Sequence, residues 1–287
     1  MDADIRFGKM LDGKKEPNLD NFTAAAAAHM IKSRKPNLVF IHLTDLDHFQ
    51  HFDRVDSRES QAALKRQDER LGEIVKAVKE AGLYKETAFI VLGDHGAINT
   101  RYSININTAF VKAGLITLDK KGRVTGWKVN AESCDGSTQI YLHDPKDKVT
   151  KTKVEDILYG LKEKPGSGIE AVFNRNQIRN MKLADNIDYI LEGQPGYYFT
   201  NEYKGELVTP ITPEQVEKEE RYQAVHGYLP GKQGNKTFFA ASGPGLKAGK
   251  VINSSDLVNI GPTIGAMLGI HMKNTDGRVI KEIFTDD

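Results

Sequence analysis

The sequence predicts an α/β fold in which a mostly parallel sheet lies between helices, with an α+β insertion in the middle of the chain. Two apolar runs of strand length, at 38–43 and 88–92, flank a helical pattern that ends near Gly82. The order strand, helix, strand is typical of a right-handed crossover between parallel strands. A third apolar run, at 237–241, predicts another buried strand near the end of the chain.

Two helices are predicted before and between the first two strands. The first covers 20–34, where Asp20 or Asn21 can cap the helix and five consecutive alanines favour it. The second is the long helix of the crossover, and Asp56 with Glu59 forms a capping-box pattern at its start. Both helices are therefore expected to cover the sheet.

The middle of the chain has a different pattern. Short candidate strands at 139–142 and 187–191 alternate with a helical pattern at 154–161 and with Gly/Pro turns. This mixture predicts an α+β insertion or cap. The predicted domain boundaries are 20–100 with 223–287 for the α/β core, and 101–222 for the insertion or cap.

Composition excludes several classes of protein. Lys and Arg number 40 and Asp and Glu 39, so the net charge of +1 gives no reason to expect a nucleic-acid polymer or a membrane surface as partner. The single cysteine, Cys134, excludes an internal disulfide and a Cys-based metal cluster. No apolar run approaches the roughly 18 residues of a membrane span. The first 20 residues are polar and predict a loop or disordered arm.

Polar residues that can bind a metal follow two of the predicted strands and precede the third. They lie at 44–51, at 93–96 and at 225–228. In open α/β sheets the ligand crevice lies at the carboxyl ends of the strands. The candidate ligands in these segments are Asp47, His51, Asp94, His95 and His226.

The residue types and their spacing favour a divalent metal site. Carboxylate oxygens and neutral imidazole nitrogens are ligands of zinc-type and manganese-type ions. Asp47 and His51 are four residues apart, so on a helical turn they point the same way. Asp94 and His95 are adjacent and can share one ion only from a turn, which the flanking glycines favour. Asp and His residues in any one of these three segments more often have a structural role, such as a helix cap or a turn. The three segments together favour a functional site.

The sequence resembles a known superfamily at these segments. The runs LVFIHLTDLDHFQH, AFIVLGDHG and VHGY, followed by FFAASGPGLKAG and TDGRVIKEIF, are similar to the alkaline phosphatase superfamily. Within it, the chain most resembles the type I phosphodiesterase / nucleotide pyrophosphatase family, over residues 20–285. The resemblance implies an alkaline phosphatase-like fold and a phosphoric ester hydrolase. It also implies a small phosphodiester, nucleotide or phosphomonoester substrate.

The resemblance further implies two divalent metal ions, most commonly Zn²⁺, with Mn²⁺ as an alternative. Asp47, His51 and His226 would hold one ion, and Asp94 and His95 would help to hold the other. In the family a Thr or Ser attacks phosphorus and forms a covalent intermediate. Two ions suit this reaction because they stabilise both the attacking and the leaving oxygen.

The first motif departs from the family pattern in one position. Gln50 stands where the family's Asp-x-x-Gly-His has glycine. The spacing from Asp47 to His51 is kept, so the change concerns the shape of the segment more than its ligands. Asp45 and His48 lie beside the candidate ligands, and each can replace its neighbour in that role.

No nucleophile is identified in the chain. In the family, the nucleophile and a further metal-binding Asp lie in an N-terminal segment, before the strand that matches 38–43, and 37 residues precede that strand here. The resemblance therefore predicts the later part of a longer enzyme or a shortened gene product. Such a chain is expected to hydrolyse phosphodiesters weakly and to leave the ion at Asp94 and His95 short of ligands. Thr44 is the nearest substitute nucleophile, but it follows a different strand.

Two other interpretations stay open at this point. One is a metal-dependent phosphomutase or a sulfatase of the same superfamily, although the formylglycine of a sulfatase needs a Cys or Ser near the start of the enzyme, and Cys134 is far from such a context. The other is a non-catalytic metal-binding or interaction protein that keeps a degenerate site.

Overall fold

The computed structural model describes residues 15–285. The predicted N-terminal loop falls mostly on residues 1–14, which lie outside the described residues. Within 15–285 the chain has a mixed α/β structure, in which helices of different lengths alternate with short strands. None of the helices in this part of the chain is long and apolar enough to cross a membrane.

The helices vary in length from five to 23 residues. In chain order, the α-helices of the described residues are α1 (Asn18–Arg34), α2 (Asp45–Asp53), α3 (Arg58–Glu80), α4 (Ile106–Lys112), α5 (Lys148–Glu163), α6 (Arg175–Asn180), α7 (Pro213–Glu217) and α8 (Ile260–Met267). Short 3₁₀ turns occur at Tyr84–Glu86, Leu257–Asn259 and Lys281–Ile283.

The strands are short, and the longest have six residues. They are β1 (Phe89–Leu92), β2 (Ile98–Asn99), β3 (Tyr102–Ile104), β4 (Ile116–Leu118), β5 (Val124–Trp127), β6 (Val129–Cys134), β7 (Ser137–Leu142), β8 (Ile169–Asn174), β9 (Tyr189–Gly193), β10 (Tyr197–Phe199), β11 (Val208–Pro210), β12 (Ala224–Val225) and β13 (Phe239–Ser242).

These strands form small sheets that are mainly antiparallel. The largest has the order β6-β7-β9-β8, and β6 pairs with β7 in register from Val129 opposite Leu142 to Cys134 opposite Ser137. β3 lies between β10, to which it is parallel, and β11, to which it is antiparallel. The pairs β1–β13, β2–β12 and β4–β5 are antiparallel. The predicted mostly parallel sheet is therefore not confirmed among the described residues.

The chain divides into two compact units. Unit 1 contains the described residues up to Leu43, Gln67–Asp94 and those from Thr237 onward. Unit 2 contains Thr44–Arg66 and His95–Lys236. The division into a core at 20–100 with 223–287 and an insertion at 101–222 stays a prediction.

Unit 2 has a core built on the four-stranded sheet. Side chains of β7 alternate between buried and half-buried, as expected for a strand with one face on a core. Helix α5 contacts β8, and its Val154 and Leu158, one turn apart, are fully buried. Phe110 of α4 and Tyr189 of β9 belong to the same apolar cluster. The packed sheet gives a rigid support for the segments around it.

Unit 1 has a smaller core between α1 and α3. Ile31 of α1 packs with Ile74 and Val78 of α3, and Val39 and Ile41 pack against this cluster. The predicted helices at 20–34 and after Asp56 are thus present and bury apolar faces, as amphipathic helices do.

The prediction of a buried strand at 38–43 is wrong. The structure assigns no strand there, and no backbone–backbone hydrogen bond joins these residues to another described residue. Val39 and Ile41 face the core of unit 1, whereas Leu38 and Phe40 are 46% and 77% exposed. An extended segment alternates its side chains between two faces, and within residues 15–285 only one of these faces packs against a core.

The predicted helix caps are also corrected. Helix α1 begins at Asn18 after Pro17, and Asp20 is instead buried in an ion pair with Arg70 (3.5 Å). At the start of α3 it is Ser57, in place of Asp56, whose hydroxyl accepts the backbone N–H of Ser60 (3.0 Å).

The remaining predicted elements are present, although their ends are shifted. The predicted strands at 88–92, 139–142, 187–191 and 237–241 correspond to β1, β7, β9 and β13, and the predicted helix at 154–161 corresponds to α5.

Candidate metal centre

Helix α2 carries the first two residues of the site. Asp47 and His51 lie one turn apart on this helix, as their spacing of four residues predicts. The Oδ1 atom of Asp47 is 3.5 Å from Nε2 of His51. The helix therefore presents a carboxylate and an imidazole on one face.

Strand β12 brings the third residue to this face. It pairs with β2, with Val225 opposite Ile98, and His226 follows it directly. Nε2 of His226 lies 3.8 Å from Oδ1 of Asp47. One ligand atom from each of Asp47, His51 and His226 lies within 4.8 Å of the other two. Two imidazoles and one carboxylate thus converge from segments far apart in the sequence.

A backbone contact sets the orientation of His51. Its Nδ1 lies 2.8 Å from the carbonyl oxygen of Ala224, so this nitrogen donates its proton to the backbone. In the neutral ring the other nitrogen, Nε2, therefore carries the lone pair, and this nitrogen lies on the side of Asp47. Metal-binding histidines are commonly fixed in this way.

The third imidazole of the group belongs to His95, which lies shortly before β2. Its ring stacks on that of His226, with centroids 3.8 Å apart and planes at 21°. The next residue, Gly96, donates its N–H to the carbonyl of Asn235 (3.0 Å), and a Cβ there would lie 2.2 Å from the carbonyl oxygen of Gly234. This close approach explains the glycine of the Asp-His-Gly motif.

Asp94, the remaining predicted ligand, belongs to unit 1. Its carboxylate lies 4.0 Å from Nε2 of His42, and both side chains are mostly exposed. The structure thus groups Asp47, His51, His95 and His226 in unit 2.

The two alternative ligands have other contacts. Asp45 is fully buried and accepts two hydrogen bonds from the guanidinium of Arg66, at 2.7 and 2.8 Å. The ring of His48 packs near that of Phe52, with centroids 5.2 Å apart. These contacts favour Asp47 over Asp45 as the carboxylate of the cluster.

The electrostatic surroundings favour the neutral form of His226. Burial lowers the pKa of His226, the neighbouring His95 lowers it further, and Asp47 opposes these effects. A neutral imidazole is the form that binds a metal.

Tyr222 and Asp135 also lie at this cluster, although the sequence did not mark them. The ring of Tyr222 packs on that of His51, with centroids 4.4 Å apart. Asp135 occupies the turn between β6 and β7, and burial raises the pKa of its carboxyl group while His226 and His51 oppose the rise. Asp-Gly between two alternating segments is a hairpin signal, but it does not indicate what the turn faces.

A buried ion pair anchors the segment after His226. Nζ of Lys232 lies 2.9 Å from the carboxylate of Glu192 on β9, and the two side chains are 8% and 2% exposed. Glu192 also accepts the backbone N–H of Leu229 (3.1 Å). No pattern in the sequence indicates this pair, because its partners are 40 residues apart.

Known structures share this fold. Human ectonucleotide pyrophosphatase / phosphodiesterase 5 matches with a TM-score of 0.67 and 16% identity, over 92% of this chain and 63% of that chain. The murine protein matches with a TM-score of 0.66 and 18% identity, over 91% of this chain and 63% of that chain, and so does its inactive variant in complex with AMP. This chain therefore spans less than two thirds of the length of these proteins.

The sequence comparisons agree with the fold. No curated protein matches the chain. The sequence model described as type I phosphodiesterase / nucleotide pyrophosphatase matches residues 3–229, which is most of the chain. The chain belongs to the type I phosphodiesterase / nucleotide pyrophosphatase family.

Proposed function

We propose that this protein hydrolyses phosphate esters with the help of a divalent metal ion held by Asp47, His51 and His226. The observation that supports this most directly is the convergence of their three ligand atoms within 4.8 Å. The family supports the reaction class, and the donor set supports the metal.

The donor set suits a zinc ion of the catalytic type. Catalytic zinc has three protein ligands from His and carboxylate side chains, and it keeps one position open for water or substrate. Here His51 is oriented by a backbone carbonyl, and burial lowers the pKa of His226, which favours its neutral form. A divalent ion at this place supplies a Lewis acid that polarises a phosphoryl oxygen. The second ion expected from the resemblance, at Asp94 and His95, stays a prediction of the sequence.

The substrate we propose is a small phosphodiester or nucleotide pyrophosphate. The family description supports this class, and the murine structure in complex with AMP supports a nucleotide. A phosphomonoester fits the same chemistry, since a monoester also presents phosphoryl oxygens to a metal. The main rival is a non-catalytic metal-binding protein with a degenerate site.

Metal binding tests the proposed site. Chelator-stripped protein is titrated with zinc in a calorimeter, as the natural sequence and as an Asp47→Ala/His226→Ala double variant. The natural sequence is expected to bind zinc, and the double variant to bind it far more weakly. The matched control is His143→Ala/Asp144→Ala, which removes one His and one Asp that are exposed elsewhere in unit 2. Equal zinc affinity in all three proteins would refute the assignment of Asp47 and His226 as zinc ligands.

Hydrolysis tests the reaction. The protein is assayed with bis-p-nitrophenyl phosphate and with p-nitrophenyl phosphate as substrates. The rate of hydrolysis of each is measured with and without added zinc or manganese. We expect metal-dependent turnover that Asp47→Asn removes. Turnover is expected to be weak, because the resemblance identifies no nucleophile among the Ser and Thr residues of this chain. Thr44→Ala should leave it unchanged. Zinc binding without any metal-dependent turnover would favour the non-catalytic rival.

A further inference from the structure

The turn between β6 and β7 carries a carboxylate that the proposed ligand set does not use. Asp135 has a left-handed backbone conformation, with φ at +61°. Its N–H donates to the hydroxyl of Ser133 (3.0 Å), and its carbonyl accepts the N–H of Phe199 (2.7 Å). The backbone on both sides of the Asp135 side chain is therefore held in place.

The same turn is joined to the segment of His226. The N–H of Gly136 donates to the carbonyl of His226 (2.9 Å), and the hydroxyl of Ser137 donates to the carbonyl of Gly227 (2.7 Å). The two segments approach so closely that a Cβ on Gly227 would lie 1.8 Å from the carbonyl oxygen of Cys134. Asp135 cannot move away from His226 without breaking these contacts.

The surroundings of the Asp135 carboxylate favour a nearby cation. No side-chain hydrogen bond or ion pair of the described residues involves it, although the residue is only partly exposed. The charged or titratable groups that act on it most strongly are His226, His51, Asp47 and His95. A partly buried carboxylate without a donor is unfavourable unless a positive charge compensates it.

We propose that Asp135 is an outer anionic member of the metal centre, which increases the affinity of the Asp47–His51–His226 site for a divalent cation. A divalent ion with one carboxylate and two neutral imidazoles keeps one uncompensated positive charge, and Asp135 supplies the missing negative charge. Asp135 is not one of the three residues whose ligand atoms lie within 4.8 Å of each other, so it acts from outside the direct ligands. The inference rests on the proposed metal site.

The test is the zinc affinity of Asp135→Asn, measured by calorimetry on the full chelator-stripped chain. Asparagine keeps the size of the side chain and tolerates the left-handed conformation, so only the charge is lost. We expect the dissociation constant to rise about tenfold, as for groups that support metal ligands from the outer shell. Asp135→Gly, which also tolerates this conformation, should give the same loss if the asparagine variant folds poorly.

Two comparisons make the result specific. Glu132→Gln removes an exposed negative charge three residues earlier on β6, and its zinc affinity should equal that of the natural sequence. Asp47→Asn removes a direct ligand and should reduce affinity more than Asp135→Asn does. Unchanged affinity in Asp135→Asn beside a loss in Asp47→Asn would overturn this inference and leave the proposed site intact. Unchanged affinity in both variants would instead overturn the proposed site itself.

Discussion

The imidazole rings of His95 and His226 stack on each other, with their centroids 3.8 Å apart. The two residues come from different motifs, and the pairing of β2 with β12 brings them together. Because one face of the His226 ring is covered by His95, the stack limits rotation of a proposed ligand.

The first prediction distinguishes the contribution of the His95 ring contact to zinc binding from the contribution of the His95 nitrogens. His95→Phe keeps an aromatic ring against His226, whereas His95→Ala removes it. We expect His95→Phe to bind zinc at the Asp47 site like the natural sequence. His95→Ala should bind about fivefold more weakly, because an aromatic pair contributes about 1 kcal/mol. Calorimetry measures both. An equal loss in the two variants would show that a nitrogen of His95, and not the ring contact, supports the site.

The second prediction concerns Gly227, the residue after His226. Gly227 and Gly166 have nearly equal φ values, +76° and +77°, but a Cβ on Gly166 would meet no atom within 4 Å. Gly166→Ala should therefore lower the free energy of unfolding by about 1 kcal/mol, the cost of the left-handed conformation. Gly227→Ala should lower it by about 3 kcal/mol, because of the added clash with the carbonyl of Cys134. Urea unfolding compares them, and equal losses would show that the segments do not approach as described.

The third prediction concerns the buried pair of Lys232 and Glu192. Lys232→Met leaves the Glu192 carboxylate buried without its cation, which should lower the free energy of unfolding by about 3 kcal/mol. The control is Lys218→Met, since Lys218 pairs with Glu214 on an exposed helix surface. That change should cost at most about 0.5 kcal/mol. Urea denaturation measures both values. A loss in Lys232→Met as small as in the control would mean that the pair is hydrated.

The fourth prediction concerns Tyr222, whose ring packs on His51 and on Phe52. Tyr222→Phe keeps the ring and should leave both stability and zinc affinity unchanged. Tyr222→Ala removes a half-buried ring and should lower the free energy of unfolding by about 2 kcal/mol, with weaker zinc binding, since the ring of His51 loses its support. Calorimetric zinc titration beside urea unfolding measures the two effects. Weaker zinc binding in Tyr222→Phe would assign the role to the hydroxyl group.

Local patterns in the sequence were enough for much of the fold. Most predicted elements depend on helical or strand periodicity, which is a property of neighbouring residues, and β1, β7, β9, β13 and α5 appear where these patterns lie. The parallel sheet was not confirmed, because the direction of pairing depends on contacts between distant segments. The prediction of a strand at 38–43 was wrong for the same reason. An apolar run does not indicate whether another strand lies beside it to form the hydrogen bonds of a sheet.

For the candidate site, the sequence by itself determined the chemistry of the donors and the helical spacing of Asp47 and His51. Only the tertiary structure decided that Asp47, and not Asp45, joins His226, because Arg66 lies against Asp45. Only the tertiary structure placed Asp135 beside this cluster. The physical reason is that periodicity sets the direction of a side chain within its own element, whereas hydrogen bonds and packing between elements set what that side chain meets.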